Sequence, residues 1–286
     1  MQVNKRYKDS VFSTLFSSPD ALRELYSAIE GITLPPDISI DINTLSDILY
    51  MGQINDISFT IDNRLVVLLE HQSTINPNMP LRLLLYIAHI YEKIIDRKKM
   101  YQTSLEKIPT PEFIVLYNGK KTYPDRKTLR LSDAFKDAAS LKGVNLPQSL
   151  ELVVQVYNIN SGHNIELLEK SGTLSGYSFF IEKIREFEKT MPREEAMQSA
   201  IKYCIDNNIL KSFLETQGSE VLNMLLTEWN IEEAKEVWWE EGREEGREEG
   251  IMEIARNALA EGASIEFVQK ITGLDLEVIE HIQTEL

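Results

Sequence analysis

The chain has 286 residues, 43% of them apolar and 26% charged, with a net charge of −15 and a single cysteine. That length and composition suit a soluble protein with a large core, and no apolar run approaches the roughly 20 residues of a membrane helix. Cys204 excludes an internal disulfide framework and fits a reducing compartment, and four scattered histidines (His71, His89, His163, His281) form no zinc-ligand spacing.

The acidity is unevenly placed. Residues 1–130 carry 16 Lys+Arg against 15 Asp+Glu, whereas residues 131–286 carry 14 against 30. In the front part the bases cluster at Lys93, Arg97, Lys98, Lys99 and Lys107, then at Lys120, Lys121, Arg126, Lys127 and Arg130. A phosphate-binding surface there stays open despite the overall negative charge, beside the plainer reading of a solvated mixed-charge surface. The N-terminal stretch MQVNKRYKDS has no apolar segment of signal-peptide type, so a cytoplasmic location is expected.

Residues 9–30 read as one or two helices. Val11, Phe12, Leu15 and Phe16 follow helical spacing, Ser18 with Pro19 makes a cap for a restart, and Gly31 is a stop. A connector with two prolines leads to short strand candidates at 38–42 and 44–51. From Asn55 to Ser73, Asp56, Ser58 and Thr60 alternate with Ile57, Phe59 and Ile61, which predicts a strand with one wet face and one dry face. Asp62-Asn63-Arg64 is turn chemistry, and a second, apolar strand runs from Leu65 into Glu70-His71-Gln72.

With a loop of Asp62 to Arg64, Ile61 faces Leu65, and continuing that register puts Asp56 opposite Glu70. Carboxylates on directly opposed residues lie so close that they repel unless a cation sits between them. Gln72 shares the Glu70 face, and His71 lies on the other. Two acids and an amide aimed at one point suit a hard cation such as Mg2+, which takes one or two carboxylates and fills its remaining positions with water and substrate phosphate. The bare pattern of Asp, a gap, then Glu-x-Gln occurs in many ordinary hairpins.

A helix follows over 79–100, with a polar stripe of Arg82, Tyr86, His89 and Lys93 that either looks back at the carboxylates or forms an outer amphipathic face. Residues 113–117 and 150–157 are strands, and 131–135 is a helical turn. From about Gly172 only helices are expected, at 174–190, 192–207, 208–217 and 218–229. The repeat EEGREEGREEG (240–250) is read as a weak or partner-dependent helix or, better, a solvated spacer, since each Gly costs a helix about 1 kcal/mol relative to Ala. Three short helices close the chain, at 251–261, 264–271 and 275–285. The last two look like a helix-turn-helix but carry too many acids to read DNA, so a packing or interaction module is expected.

KDSVFSTLF, NDISFTI, VVLLEHQS, MPLRLLLYIAHIYEKII and EFIVLYNG occur in this order over residues 4–160. Together they resemble the recombination-promoting nuclease / putative transposase family, which has the PD-(D/E)XK nuclease fold. The EHQ strand followed by the Arg-x-x-x-Tyr helix is the most specific part, and the glycine repeat and helical C-terminus are similar too.

The resemblance implies an α/β fold, a restriction-endonuclease-like mixed sheet flanked by helices with an all-helical region after it. It implies a magnesium-dependent DNA endonuclease with little sequence preference. Asp56 and Glu70 would be metal ligands, with the His71 backbone carbonyl a further one. Gln72 stands where the wider fold usually has lysine. Arg82 and Tyr86 would meet substrate phosphate or hold the site, Lys93 would join them at DNA, and Asp9 matches an acid of the first helix. The expected parts are a nuclease-like domain over 1–170, a helical region over 171–239, and the repeat with a small helical module over 240–286, through which a homodimer would form. The competing reading keeps the fold as a non-catalytic module for DNA binding or assembly.

Overall fold

A computed structural model describes residues 11–42, 57–136 and 149–284. The chain divides into two compact units, Met1–Leu225 and Leu226–Leu286. The first opens with helices α1 (Val11–Leu15) and α2 (Pro19–Glu30). Their boundary is written in side-chain chemistry. The Ser18 hydroxyl accepts from the Ala21 N–H at 3.2 Å, Pro19 occupies the first turn, and Gly31 ends α2 at φ 67°.

Three strands follow, β1 (Ile40–Ile42), β2 (Ile57–Ile61) and β3 (Leu65–Gln72), then helix α3 (Met79–Ile94) and strands β4 (Thr110–Tyr117), β5 (Arg126–Arg130) and β6 (Val153–Asn158). They form one six-stranded sheet in the order β1-β2-β3-β4-β6-β5. The β3–β4 and β4–β6 pairs are parallel and the other three antiparallel. Parallel β3 and β4 need a crossover, which α3 supplies. Central β3 is buried on both faces, which is why its sequence is a continuous apolar run rather than an alternation. Val66 and Leu68 join Met79, Leu83, Ile87 and Ile90 of α3 in the main apolar cluster.

The β2–β3 turn has the length its sequence predicts. Asp62 and Asn63 both adopt the left-handed region, at φ 49° and 50°, and the Arg64 N–H donates to the Ile61 carbonyl at 3.0 Å. Ile61 faces Leu65 and Ile57 faces Leu69. The wet face expected for β2 is not there: Ser58 is 1% and Thr60 4% exposed. Their partners Leu68 and Val66 belong to the α3 cluster, so this face of the hairpin is interior as well. The strand candidate at 44–51 lies outside the described residues, as do Asp9 and Asp56.

Helix α3 ends at Ile94, six residues short of the expected 100. Ile95 is extended, and the Asp96 carboxylate accepts from the Lys98 N–H at 2.9 Å, a local turn that competes with the helix. Strand β5 has no apolar alternation to announce it, since its Arg-Lys-Thr-Leu-Arg is an exposed, charged edge.

After β6 come α4 (Ile165–Lys170), α5 (Gly172–Phe187), α6 (Arg193–Asp206), α7 (Lys211–Ala260), α8 (Ile265–Thr272) and α9 (Leu276–Thr284). Glu24 of α2 ties the start of α5, accepting from the Ser171 and Thr173 hydroxyls at 2.7 and 3.1 Å and the Thr173 N–H at 3.0 Å. The expected helices at 208–217, 218–229 and 251–261 and the spacer between them are instead one helix, α7, of 50 residues. Left-handed Asn208 and Leu210 (φ 59° and 47°) set the chain break before α7. The isolated glycines within it, flanked by strong helix formers Glu and Arg, weaken but do not stop a helix of this length. In the second unit, Ala255, Leu259, Val268, Ile279 and Ile282 form a small core. Ser264 caps α8 through the Phe267 N–H at 3.3 Å and Gly273 ends it at φ 71°.

Candidate carboxylate site at the end of the central strand

Strands β3, β4 and β6 run parallel, so their C-terminal ends lie along one edge of the sheet, where open α/β sheets place ligands. Glu70 sits near that end of β3. It is 3% exposed, yet it is an acid, and an ionised carboxylate so deep needs a countercharge. Arg82, one turn into α3, supplies one: its Nη2 lies 3.3 Å from Glu70 Oε2. The same Nη2 donates to the Tyr86 hydroxyl at 3.2 Å, and Nη1 is 3.4 Å from the Met79 sulfur. The spacing of four between Arg82 and Tyr86 puts both on the helix face that looks at β3.

Gln72 reaches the same place from two residues further along β3, its Nε2 2.7 Å from the Met79 sulfur. The rest of the polar stripe parts company with this group. His89 and Lys93 are exposed, and His89 meets Glu92 at 3.2 Å. Lys93 lies eleven residues beyond Arg82, about 16 Å along the helix axis.

His71 points to the opposite face, as strand alternation requires. Its ring stacks on Phe12 of α1 with centroids 4.8 Å apart and planes 14° apart, and its Nε2 lies 3.3 Å from the Tyr177 hydroxyl of α5. Burial, and after it the nearby Arg185 guanidinium, pulls its pKa down from 6.5 to about 4. The imidazole is neutral and engaged there, so the donor His71 has for the other face is its backbone carbonyl.

Asn118 and Gly119, which the sequence marks only as the end of a strand, close this edge together with Arg185. The Asn118 N–H donates to the Gln72 carbonyl at 2.9 Å, joining the end of β4 to the end of β3. At Gly119 a Cβ would stand 2.0 Å from the Ser73 carbonyl oxygen, so only glycine permits that approach. Arg185 of α5 donates to the Asn118 carbonyl and, at 2.8 Å, to Asn160 Oδ1, so this cation braces the loops after β4 and β6. The signal for Arg185 is a base next to the buried Ile184 of α5.

Glu70, the Gln72 amide oxygen and the His71 carbonyl are all oxygen donors, a set whose chemistry fits a hard divalent cation and not zinc. Among the described residues there is no group of three or more His, Cys, Asp or Glu side chains that could hold a metal. Asp56, the second acid of the expected pair, and Asp9 lie outside those residues; the register that would bring Asp56 to Glu70 is followed as far as Ile57↔Leu69. Among the described residues no helix is long and apolar enough to cross a membrane.

A protein-family model described as "Putative transposase, YhgA-like" matches residues 15–166, just over half of the chain. Neither a curated protein nor a solved structure matches it.

Proposed function

This chain belongs to the YhgA-like putative transposase family, and from that premise we propose that it is a magnesium-dependent DNA endonuclease of the PD-(D/E)XK type, serving recombination or a mobile element. The observation that carries the reading is the convergence on one face of β3. A carboxylate buried to 3% exposure, an amide two residues on, and an arginine–tyrosine pair from the crossover helix all meet there, on the edge of the sheet where ligands bind.

In this reading Glu70 and Asp56 hold Mg2+, with the His71 carbonyl as a further donor. When bound, the metal neutralises charge on the scissile phosphate and lowers the pKa of a coordinated water. The chain's own groups do the rest. Gln72 orients a water but takes no proton from it, because an amide is not a base. Arg82 is paired with Glu70, and its guanidinium is the group that would meet a phosphate oxygen, for which it is well matched. Tyr86 fixes the guanidinium through its hydroxyl. Asp9 is an additional acid in this scheme. The protein acts in the cytoplasm, and the helices after β6 are where a homodimer would form.

Purified protein with Mg2+ is expected to nick supercoiled plasmid. Glu70→Gln and Asp56→Asn are each expected to lower the rate about a hundred- to a thousandfold, of the order seen when a principal electrostatic group is removed. Equal nicking by wild type and both variants would reveal a contaminant and end the assignment. A second reading, a nuclease fold kept for DNA binding or assembly, draws on Gln72, whose amide rests on the Met79 sulfur and carries no positive charge. It is the reading that survives if no divalent metal supports cleavage while DNA is still bound.

A further inference from the structure

The connection between α3 and β4 carries side chains that neither the core nor the carboxylate site uses. Tyr101 is 89% exposed, Leu105 87% and Met100 64%. Three large apolar side chains so open within six residues are costly in water, and a patch of this kind marks an interaction surface. Bases surround it: Lys93, Arg97, Lys98, Lys99 and Lys107, against Glu92, Asp96 and Glu106. Lys99 is paired with Glu106 at 3.0 Å and Arg97 with Glu92 at 4.0 Å. Lys93, Lys98 and Lys107 are exposed and make no ion pair among the described residues.

The segment is built rather than loose. The Asp96 carboxylate caps the Lys98 N–H at 2.9 Å, and a 3-10 turn spans Lys99–Tyr101. The Tyr91 hydroxyl donates to the Pro109 carbonyl at 2.7 Å, which pins the far end to α3. A shallow hollow of about 510 Å3 lies there, lined by Ile95, Met100, Leu105 and Ile108 together with polar residues from Lys99 to Glu106.

We propose that residues 93–108 form a second DNA contact that grips an unpaired strand, away from the carboxylate site. The proposal rests on DNA being the substrate. A duplex hides its base faces in the stack, and an exposed tyrosine ring offers it nothing that lysines alone do not. An unpaired strand presents both flat apolar bases and phosphates, the two things this surface presents partners for: the exposed Tyr101 ring, Met100 and Leu105 for bases, and Lys93, Lys98 and Lys107 for phosphates. The patch lies at the end of α3 opposite Arg82, so a strand held there does not compete with the phosphate at Glu70. It would anchor a single-stranded end or overhang while the duplex is cut.

The test reads binding without cleavage. Full-length protein in EDTA is titrated by fluorescence anisotropy against labelled dT20 and against a blunt 20-bp duplex, with sedimentation on phosphatidylserine-containing vesicles alongside. Tyr101→Ala is expected to weaken dT20 binding about tenfold, the usual loss for one stacked base, with the duplex changed less than twofold. Replacing Lys98 and Lys107 with Ala is expected to lower the salt slope for dT20 by about 1.4. An unchanged dT20 affinity in Tyr101→Ala overturns the proposal, as does wild type that fails to bind dT20. It is overturned too if Tyr101→Ala releases the protein from vesicles and leaves dT20 binding intact, which would make the patch a membrane contact. Because the side chain is exposed, an unchanged melting temperature of the variant is expected and separates lost contact from lost fold. Plasmid nicking with Mg2+ is scored independently. Nicking with unaltered dT20 binding in Tyr101→Ala sinks this inference alone, whereas weakened dT20 binding without nicking sinks the nuclease reading alone.

Discussion

On one face of β3, Glu70 keeps a buried charge by taking a partner: Arg82 lies 3.3 Å away and is itself fixed by Tyr86. On the other face, one residue along, His71 is half-buried with its charge suppressed, stacked on Phe12 with its pKa near 4. Two neighbours in sequence thus solve the same problem in opposite ways. A charge that is compensated and held ready can do chemistry on a phosphate or a metal. A charge removed by desolvation leaves an apolar ring that packs. The difference leaves the α3 face with the candidate site and gives the His71 ring a packing role against α1 and α5.

The largest effect that would sharpen this contrast is on the ion pair. Breaking a buried pair by removing one partner leaves the other charge uncompensated, so Arg82→Met is expected to cost about 3 kcal/mol of stability by urea denaturation at pH 7. Glu70→Gln combined with Arg82→Met is expected to recover at least about 1 kcal/mol of the summed single losses, because both charges then go together. Strict additivity of the two variants would show that the pair is incidental, and the compensated-charge reading of this face would fail.

Much of the hairpin was legible from residues alone. Asp62-Asn63 tolerates the left-handed backbone, which set the loop length and through it the register to Ile57↔Leu69. Ser18-Pro19 and Gly31 fixed α2 because caps are local chemistry. What stayed hidden was set by tertiary surroundings. Ser58 and Thr60 look like surface residues, but the sheet buries them beside Leu68 and Val66. The glycines of the 240–250 repeat look like breaks, but a helix of 50 residues carries through them. Edge strand β5 lacks any apolar pattern, since its charges serve to keep the edge from pairing. Of the candidate site, Glu70, Gln72, Arg82 and Tyr86 were legible because strand and helix periods place them. Arg185 and Asn118 were not, because they meet β3 only through chain reversals that no local period reports.

A middle-sized effect follows from His71. Its folded pKa lies below the unfolded value of 6.5, so the unfolded chain binds the extra proton between pH 6.5 and 4. Stability is therefore full above about pH 6.5 and falls as the pH drops toward 4, by about 2 kcal/mol at pH 5. His71→Phe keeps the stack on Phe12 and removes the titration. Its stability should fall by about 2 kcal/mol less than wild type does between pH 7 and pH 5. Parallel profiles for the two proteins would mean that His71 is not held neutral, and the two faces would no longer differ in kind.

The smallest effect has the opposite sign and comes from a carboxylate with no cation partner among the described residues. Glu112 of β4 accepts from the Tyr26 hydroxyl at 2.7 Å. Burial raises its pKa from 4.5 to about 7, with the Tyr26 hydrogen bond opposing and Glu30 adding to the rise. A raised folded pKa means stability that is present below the unfolded value of 4.5 and is lost as the pH climbs through about 7. Glu112→Gln still accepts from Tyr26 and carries no charge at any pH. It should gain about 1 kcal/mol or less over wild type at pH 8, after allowance for the partial exposure of the site, and almost nothing at pH 5. The comparison with Glu70 is direct: the acid given an arginine should resist neutralisation by substitution, and the acid set beside a phenol and a second carboxylate should welcome it. If Glu112→Gln destabilises at pH 8 as Glu70→Gln is expected to, the partner does not decide how this sheet holds a buried carboxylate.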